Sequence, residues 1–260
     1  MNRRQFHQTL GGAYMMGTTG AAAQTREGVR TRLYRLSFYH LRMGEQVTRM
    51  NQFLAAHAPF FRKVNTGPLG FFNVFLGAHM PGLVILAGFP GFSEMDAASG
   101  RLQENEGFQR ALLELQQGVE PPYDRLDTAL LEAAEYSPEI VPLTAKPKPP
   151  RIFELRVYHS PTLRQLRLLH ERFAGPEIKI FHRLGIRPVL YASTLIGPNM
   201  PNLTYLTPFA SLAERDKAWT AFAADPEWVK VRNESIERGG QITSQISITL
   251  LRPTDYSPIQ

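Results

Sequence analysis

The sequence predicts an α+β protein built from two tandem copies of one β-α-β-β-α-β unit, and three internal echoes carry this prediction. "LYRLSFYH" at 33–40 returns as "IFELRVYH" at 152–159, "GAHMPGL" at 77–83 as "GPNMPNL" at 197–203, and "EYSP" at 135–138 as "DYSP" at 255–258. The two members of each pair lie 119 or 120 residues apart. A repeat of that length indicates a duplicated domain rather than a solenoid unit.

The second copy begins with a strand, in which Phe153, Leu155 and Val157 alternate with polar residues. "SPTLRQLRLLHERF" then predicts a helix, with Ser160 as its cap and Pro161 in its first turn. A hairpin of two strands, a helix interrupted by Asp-Pro and a closing strand follow, over 187–197, 202–209, 211–240 and 241–251.

The first copy repeats this order. The predicted elements are a strand at 31–40, a helix at 44–63, strands at 70–77 and 82–89, a helix at 93–117 and a strand at 123–134. This is the ferredoxin-like order, an antiparallel sheet with helices on one face. We therefore divide the chain into a diverged first repeat at 31–138, a proline-rich linker at 139–150 and a second repeat at 151–258.

The sheet face away from the helices is predicted to carry a mixture of apolar and polar residues. By alternation it holds Ile152, Glu154, Arg156 and Tyr158 in the second copy, and Leu33, Arg35, Ser37 and Tyr39 in the first. Two such sheets laid face to face would enclose a mixed lumen, as an intramolecular α/β barrel. The candidates for binding a ligand there are Arg35, Tyr39, Glu154, Arg156 and Tyr158. A structural Glu–Arg network explains the same residues equally well.

His40 and His159 are weaker site candidates, because each ends an equivalent strand. Alternation assigns them to the helix-packed side, with Phe38 and Val157. The sequence contains no His-x-x-x-His or Glu-x-x-His spacing, no phosphate loop, no dinucleotide fingerprint and no nucleophile elbow, so we expect neither a metal nor a cofactor. It also contains no cysteine, which excludes disulfides and a cysteine nucleophile.

The first 23 residues have the order of a signal peptide: Arg3-Arg4, a weakly apolar stretch and three alanines. The stretch is too short and too glycine-rich for stable membrane insertion. It resembles a twin-arginine export signal, which implies a periplasmic or secreted protein. The net charge of +6 is mild, and in the basic run at 164–187 Glu171 and Glu177 lie among the basic residues, so we expect a solvated helix face and no nucleic-acid partner.

Three stretches of the second copy, "FELRVYHS", "YLTPFASLAERDKAW" and "DPEW", resemble the NIPSNAP family, whose fold is related to the dimeric α/β-barrel proteins. The resemblance implies a tandem barrel but brings little mechanism. The first copy departs from it, since "NEGFQRA" stands where "DPEWVKV" does. Two function classes remain: an exported protein that binds a small molecule in the lumen or serves a structural role, and a cofactor-independent monooxygenase or isomerase. A second copy of the chain is a further candidate partner.

Overall fold

In the computed structural model, which describes residues 29–143 and 145–260, eight strands close into one barrel. They are β1 (Leu33–His40), β2 (Leu69–Leu76), β3 (Gly82–Phe89), β4 (Arg125–Ala133), β5 (Ile152–His159), β6 (Leu190–Ile196), β7 (Asn202–Phe209) and β8 (Gln245–Pro253). Around the barrel the order is β1-β3-β2-β8-β5-β7-β6-β4. Each repeat contributes four adjacent strands, and the repeats join at the β2–β8 and β4–β6 seams. The predicted fold class is confirmed, and one chain supplies both halves of the barrel.

Seven helices cover the outside of the barrel in the described part of the chain. They are α1 (Glu45–Val64), α2 (Phe92–Glu104), α3 (Glu106–Gln116), α4 (Leu163–Arg172), α5 (Ile178–Arg183), α6 (Leu212–Ala224) and α7 (Pro226–Gly239). The helix predicted at 93–117 is two helices, because Asn105 caps α3 by accepting the Phe108 N–H at 2.8 Å. Asp225 caps α7 in the same way, through the Trp228 N–H at 3.0 Å. None of these helices is long and apolar enough to cross a bilayer.

The cap of α4 differs from the prediction. Thr162, rather than Ser160, is the residue before the helix, and its Oγ1 accepts the Arg164 N–H at 3.2 Å. The Ser160 hydroxyl instead donates to the Ile242 carbonyl at 2.8 Å. A serine close to a helix start thus holds the segment between α7 and β8.

Every neighbouring pair of strands in the barrel is antiparallel. Strands β1 and β5 lie four places apart in the closed order, so they run in the same direction and the two repeats are related by a pseudo-twofold axis along the barrel. His40 and His159, the last residues of these strands, therefore lie at the same end of the barrel. We call this end the histidine mouth.

The centre of the lumen is packed with apolar side chains. Its core includes Tyr34, Phe72, Val84, Leu86, Leu131, Phe153, Leu155, Leu190, Leu206 and Leu251, and Ile140 and Ile259 join it from the segments after β4 and β8. The cavity left among these side chains is about 10 Å³, at the lower limit of the space that one water needs. The prediction of a mixed lumen is wrong for the barrel centre, which has no room for an organic ligand.

Side chains of β1 and β5 alternate between two faces as predicted. However, the face predicted to line the lumen packs against the helices, and the other face lines the lumen. Phe153 and Leu155 point into the lumen, whereas Glu154, Arg156 and Tyr158 point to the helices. Both faces of each sheet are covered, one by helices and one by the other sheet. The more apolar face of a strand therefore does not show whether it packs against the helices or against the other sheet.

The "EYSP" and "DYSP" echoes cross from one repeat to the other. Ser137, after β4, accepts the Tyr191 N–H of the second repeat at 3.0 Å through its Oγ. Ser257, after β8, accepts the Phe71 N–H of the first repeat, also at 3.0 Å. The tyrosine before each serine packs into the other repeat's core as well. We call these two contacts the serine clamps, and they make each repeat part of the other's structure.

Candidate functional site

Three of the predicted site residues form a buried network between β5 and α6. The Glu154 side chain is 0% exposed. Its carboxylate accepts hydrogen bonds from Arg156 Nε, from Arg215 Nε at 2.6 Å and from Trp219 Nε1 at 2.9 Å. The Arg156 guanidinium also stacks on Trp219, with Cζ 3.5 Å from a ring centroid. Both carboxylate oxygens are satisfied by protein groups, as in a structural ion network.

Tyr158 completes this network. Its hydroxyl lies 3.4 Å from Arg156 Nη1, and its ring meets that of Tyr205 edge-on, with centroids 5.2 Å apart. Burial raises the pKa of Tyr158 above the ordinary value, so the side chain stays a neutral phenol. The Glu154 carboxylate is fully enclosed and Tyr158 is buried, whereas the Arg215 end of the cluster reaches solvent, with its side chain 19% exposed.

Arg35 and Tyr39 lie on the corresponding face of the first repeat, away from Glu154 and its partners. Arg35 lies over the Phe89 ring at 5.8 Å, and Tyr39 packs edge-on against Tyr123 at 5.0 Å. Burial is the main cause that raises the pKa of Tyr39 above its ordinary value. The structure therefore splits the five predicted site residues between two separate helix-covered faces, and they do not form one ligand site.

The histidine mouth holds a different arrangement, which sequence analysis did not assemble. His40 on β1 places Nε2 2.7 Å from Oδ2 of Asp127 on β4, the neighbouring strand. Arg125 holds the other carboxylate oxygen, with its Nε 3.1 Å from Oδ1. Burial raises the pKa of Asp127, but the hydrogen bonds from His40 and Arg125 outweigh it, so the pKa lies below the ordinary value. The shorter contact, to the ionised Asp127, favours His40 with Nε2 as the donor and Nδ1 unprotonated, while Arg125 Nη2 lies 3.1 Å from the same Nε2.

The second repeat places a neutral pair at the matching position. His159 Nε2 lies 2.9 Å from Ser247 Oγ, and Ser247 stands 120 residues after Asp127. The mouth therefore combines a histidine beside a carboxylate with a histidine beside a hydroxyl. Both histidines face the lumen side, which corrects their predicted assignment to the helix-packed side.

The floor of the mouth is apolar and partly open. Leu36, Phe38 and Val157 face the lumen but keep partial exposure, whereas Tyr34, deeper on β1, is 1% exposed. The His40 side chain is 13% exposed, and the exposed His79 ring lies 4.9 Å from its ring. The mouth thus brings partly exposed apolar side chains beside polar ones. Within residues 29–143 and 145–260 there is no group of three or more histidine, aspartate or glutamate side chains suited to a metal.

Asp127, Arg125 and Ser247 were missed from the sequence, although a signal was present. Arg125 and Asp127 alternate with Leu126 in the predicted strand at 123–134, and the 120-residue spacing pairs Asp127 with Ser247. Pairing the first and last strands of each ferredoxin-like unit would have placed them beside the histidines.

Comparisons with known proteins give different matches for the second repeat and for the whole chain. Residues 153–258 match the NIPSNAP family. Two candidate monooxygenases, from Fusobacterium nucleatum and Lactobacillus acidophilus, have similar folds, with TM-scores of 0.58 and 0.53. Each is 10% identical and covers 86% of this chain; the alignments span 92% and 94% of their own lengths.

A NIPSNAP family protein from Agrobacterium tumefaciens is 24% identical over 42% of this chain and 99% of its own, with a TM-score of 0.37. Among curated proteins there is no match. At such identities the likeness to the solved structures shows the fold alone. The family match thus covers only the second repeat, where the sequence resemblance predicted it.

Proposed function

We propose that the protein binds a small molecule at the histidine mouth. The observation that supports this most directly is the His40–Asp127 pair beside a partly exposed apolar floor. Polar groups at the mouth face solvent and can exchange water for a ligand, whereas Glu154 is already satisfied by three protein donors. The ligand class that fits has an apolar ring and a hydroxyl or acidic head.

A titration with 1-naphthol tests this proposal, because the probe has such a ring and one hydroxyl. We expect saturable quenching of the naphthol fluorescence by the wild-type protein. His40→Ala should weaken binding at least tenfold, and the matched variant His159→Ala should weaken it less. Unchanged fluorescence up to the solubility limit, or equal effects of the two variants, would contradict the proposed site.

A second candidate function is that of a cofactor-independent monooxygenase or isomerase, and the free Nδ1 of His40 favours it. Either reaction begins with removal of a proton from a hydroxyl or an activated carbon, which a histidine held by an anionic carboxylate can perform. The folds of the two candidate monooxygenases are compatible with this function. With 1-naphthol and dioxygen the balanced reaction gives 1,4-naphthoquinone and one water.

An oxygen electrode distinguishes this function from simple binding. We expect one dioxygen to be consumed per naphthoquinone formed, and Asp127→Asn to slow the reaction at least tenfold, because His40 loses its anionic partner. A protein that binds 1-naphthol without consuming oxygen is not a monooxygenase for this substrate class.

We further propose that the chain is exported and cleaved near Ala23. The proposal rests on the arginine pair and alanine triplet of residues 1–23, which lie outside the described residues. Intact-mass analysis of protein recovered from the periplasm should show that about the first 23 residues are lost. A full-length chain confined to the cytoplasm would refute it.

A further inference from the structure

The second repeat contains one residue more than the first between its first and third strands. His159 follows His40 by 119 residues, whereas Phe209 follows Phe89 by 120. Where the first repeat has the unbroken helix α1, the second has α4, a kinked segment at Phe173–Glu177 and α5. In this segment Gly175 has non-helical backbone angles (φ −88°, ψ −114°), and the Ile178 N–H donates to the Phe173 carbonyl. We call the segment the π-turn.

The π-turn places Glu177 inside the second repeat. Its side chain is 0% exposed, and Oε2 accepts a hydrogen bond from Arg172 Nε at 2.7 Å. Oε1 has no partner among the described residues. The solvated face predicted for the basic run is therefore wrong at Arg172 and Glu177, which form a buried pair.

Two tyrosine hydroxyls share this interior with Glu177. Arg156, Tyr205 and Tyr191 stand in one row across β5, β7 and β6. Phe173 of the π-turn packs against both tyrosine rings, with centroids 5.7 and 5.8 Å away. The Tyr191 hydroxyl has no partner in the described structure, and the Tyr205 hydroxyl lies beside that of Tyr158 without a well-formed hydrogen bond. Burial is the main cause that raises the pKa of both tyrosines, and the nearby Glu177 is a further cause.

The fold does not require polar groups at these positions. In the first repeat the residues that correspond to Tyr191 and Tyr205 are Phe71 and Ile85. A buried polar atom without a hydrogen bond is destabilising, and three in one place would remove a large part of the stability of an ordinary domain. Such a cluster is tolerated when a bound molecule completes its hydrogen bonds.

We propose that Glu177 Oε1 and the hydroxyls of Tyr191 and Tyr205 bind a small uncharged hydroxylic guest, with ordered water as its smallest form. The guest lies between β6, β7 and the π-turn and exchanges hydrogen bonds with Glu177 Oε1 and the two phenols. This site is on the helix-covered face of the sheet, opposite the histidine mouth, and does not depend on the function proposed there.

Unfolding of the full chain by guanidinium tests the proposal, with Tyr191→Phe and Tyr205→Phe as variants. If the hydroxyls hold a guest, each variant breaks a hydrogen bond and the midpoint denaturant concentration falls. If the interior is dry, each variant removes an unsatisfied polar atom, so an unchanged or higher midpoint overturns the proposal. Phe71→Tyr, at the matched position of the first repeat, calibrates the fall caused by a hydroxyl with no partner.

A crystal structure at atomic resolution identifies the guest. Separate spherical peaks within hydrogen-bond distance of Glu177 and Tyr191 identify water, and elongated density there identifies a hydroxylic solute. The absence of density at that position overturns the proposal. The 1-naphthol titration should be unaffected by Tyr191→Phe, so failure at either site is distinguishable from failure at the other.

Discussion

The two repeats share one backbone frame but fill it with different chemistry. At matched positions the first repeat pairs Phe53 with Phe108, ring centroids 6.0 Å apart, and the second stacks Arg172 on Trp228, with Cζ 4.9 Å from the ring. Glu177 accompanies the charged version. The fold therefore specifies only that these positions are occupied and packed, and a charged interior is tolerated when its groups have partners.

The largest effect is expected from separating the repeats. Residues 29–138 and 151–260, expressed as separate chains, each lose both seams and the serine clamp that the other half supplies. Each should expose the apolar lumen face of its sheet and aggregate or form dimers. Size-exclusion chromatography with light scattering measures this. Two soluble, cooperatively folding monomers would show that the repeats are independent.

A large effect is also expected at one position that differs between the repeats. Glu154→Gln removes the charge that faces Arg156 and Arg215, and should lower the free energy of unfolding by about 3–5 kcal/mol. The matched variant Arg35→Ala, in the first repeat, should cost less than about 1 kcal/mol, because Arg35 has no carboxylate partner among the described residues. Chemical denaturation gives both values.

The double variant Glu154→Gln with Arg156→Met serves as the control. If Glu154 belongs to a structural network, removing both charges should recover much of the single-variant loss. A single variant that folds as well as the wild type would contradict the structural role.

The pH dependence of stability should differ between the repeats because of Glu177. Burial, opposed by Arg172, raises the pKa of Glu177 from 4.5 to about 7. The folded chain therefore keeps a proton that the unfolded chain releases, and stability falls as pH rises from about 4.5 to 7, by on the order of 3 kcal/mol. Above that window this contribution is constant.

Glu177→Gln should remove this slope. The measurement is the difference in unfolding free energy between the variant and the wild type at pH 5, 6, 7 and 8, which cancels contributions from other titrating groups such as His170. A difference that does not change with pH would show that Glu177 is ionised throughout.

The smallest effect is expected where the repeats are alike. Ser137→Ala and Ser257→Ala each leave one buried backbone N–H without its acceptor, and should each cost about 1–2 kcal/mol. Because the two clamps hold different strands, the losses should add in the double variant. Urea denaturation of the three variants checks this, and a loss confined to one clamp would show that the repeats depend on each other unequally.

The order of the elements and the closed barrel could be predicted from the sequence. Both follow from the internal echoes and from the alternation of side chains along each strand. It was not sufficient for the orientation of Arg156, because both faces of its strand are covered and the strand reads as amphipathic either way. The partnership of His40 with Asp127 depends on which strands become neighbours, and no local pattern contains that information. The sequence predicts a solvated Glu177 because it suggests a regular helix there. The π-turn changes the side of the helix that this residue faces.

The presence of both halves in one chain has a consequence for how such a barrel can diversify. A homodimer assembled from one such unit must accept every substitution twice, at two symmetric places. The kinked segment at Phe173–Glu177 and the exchange of Asp127 for Ser247 are each present once. Fusion removes the requirement for symmetry: one half can carry a costly charged interior while the other supplies the compensating packing. An asymmetric barrel of this kind is accessible to a single polypeptide but not to a homodimer.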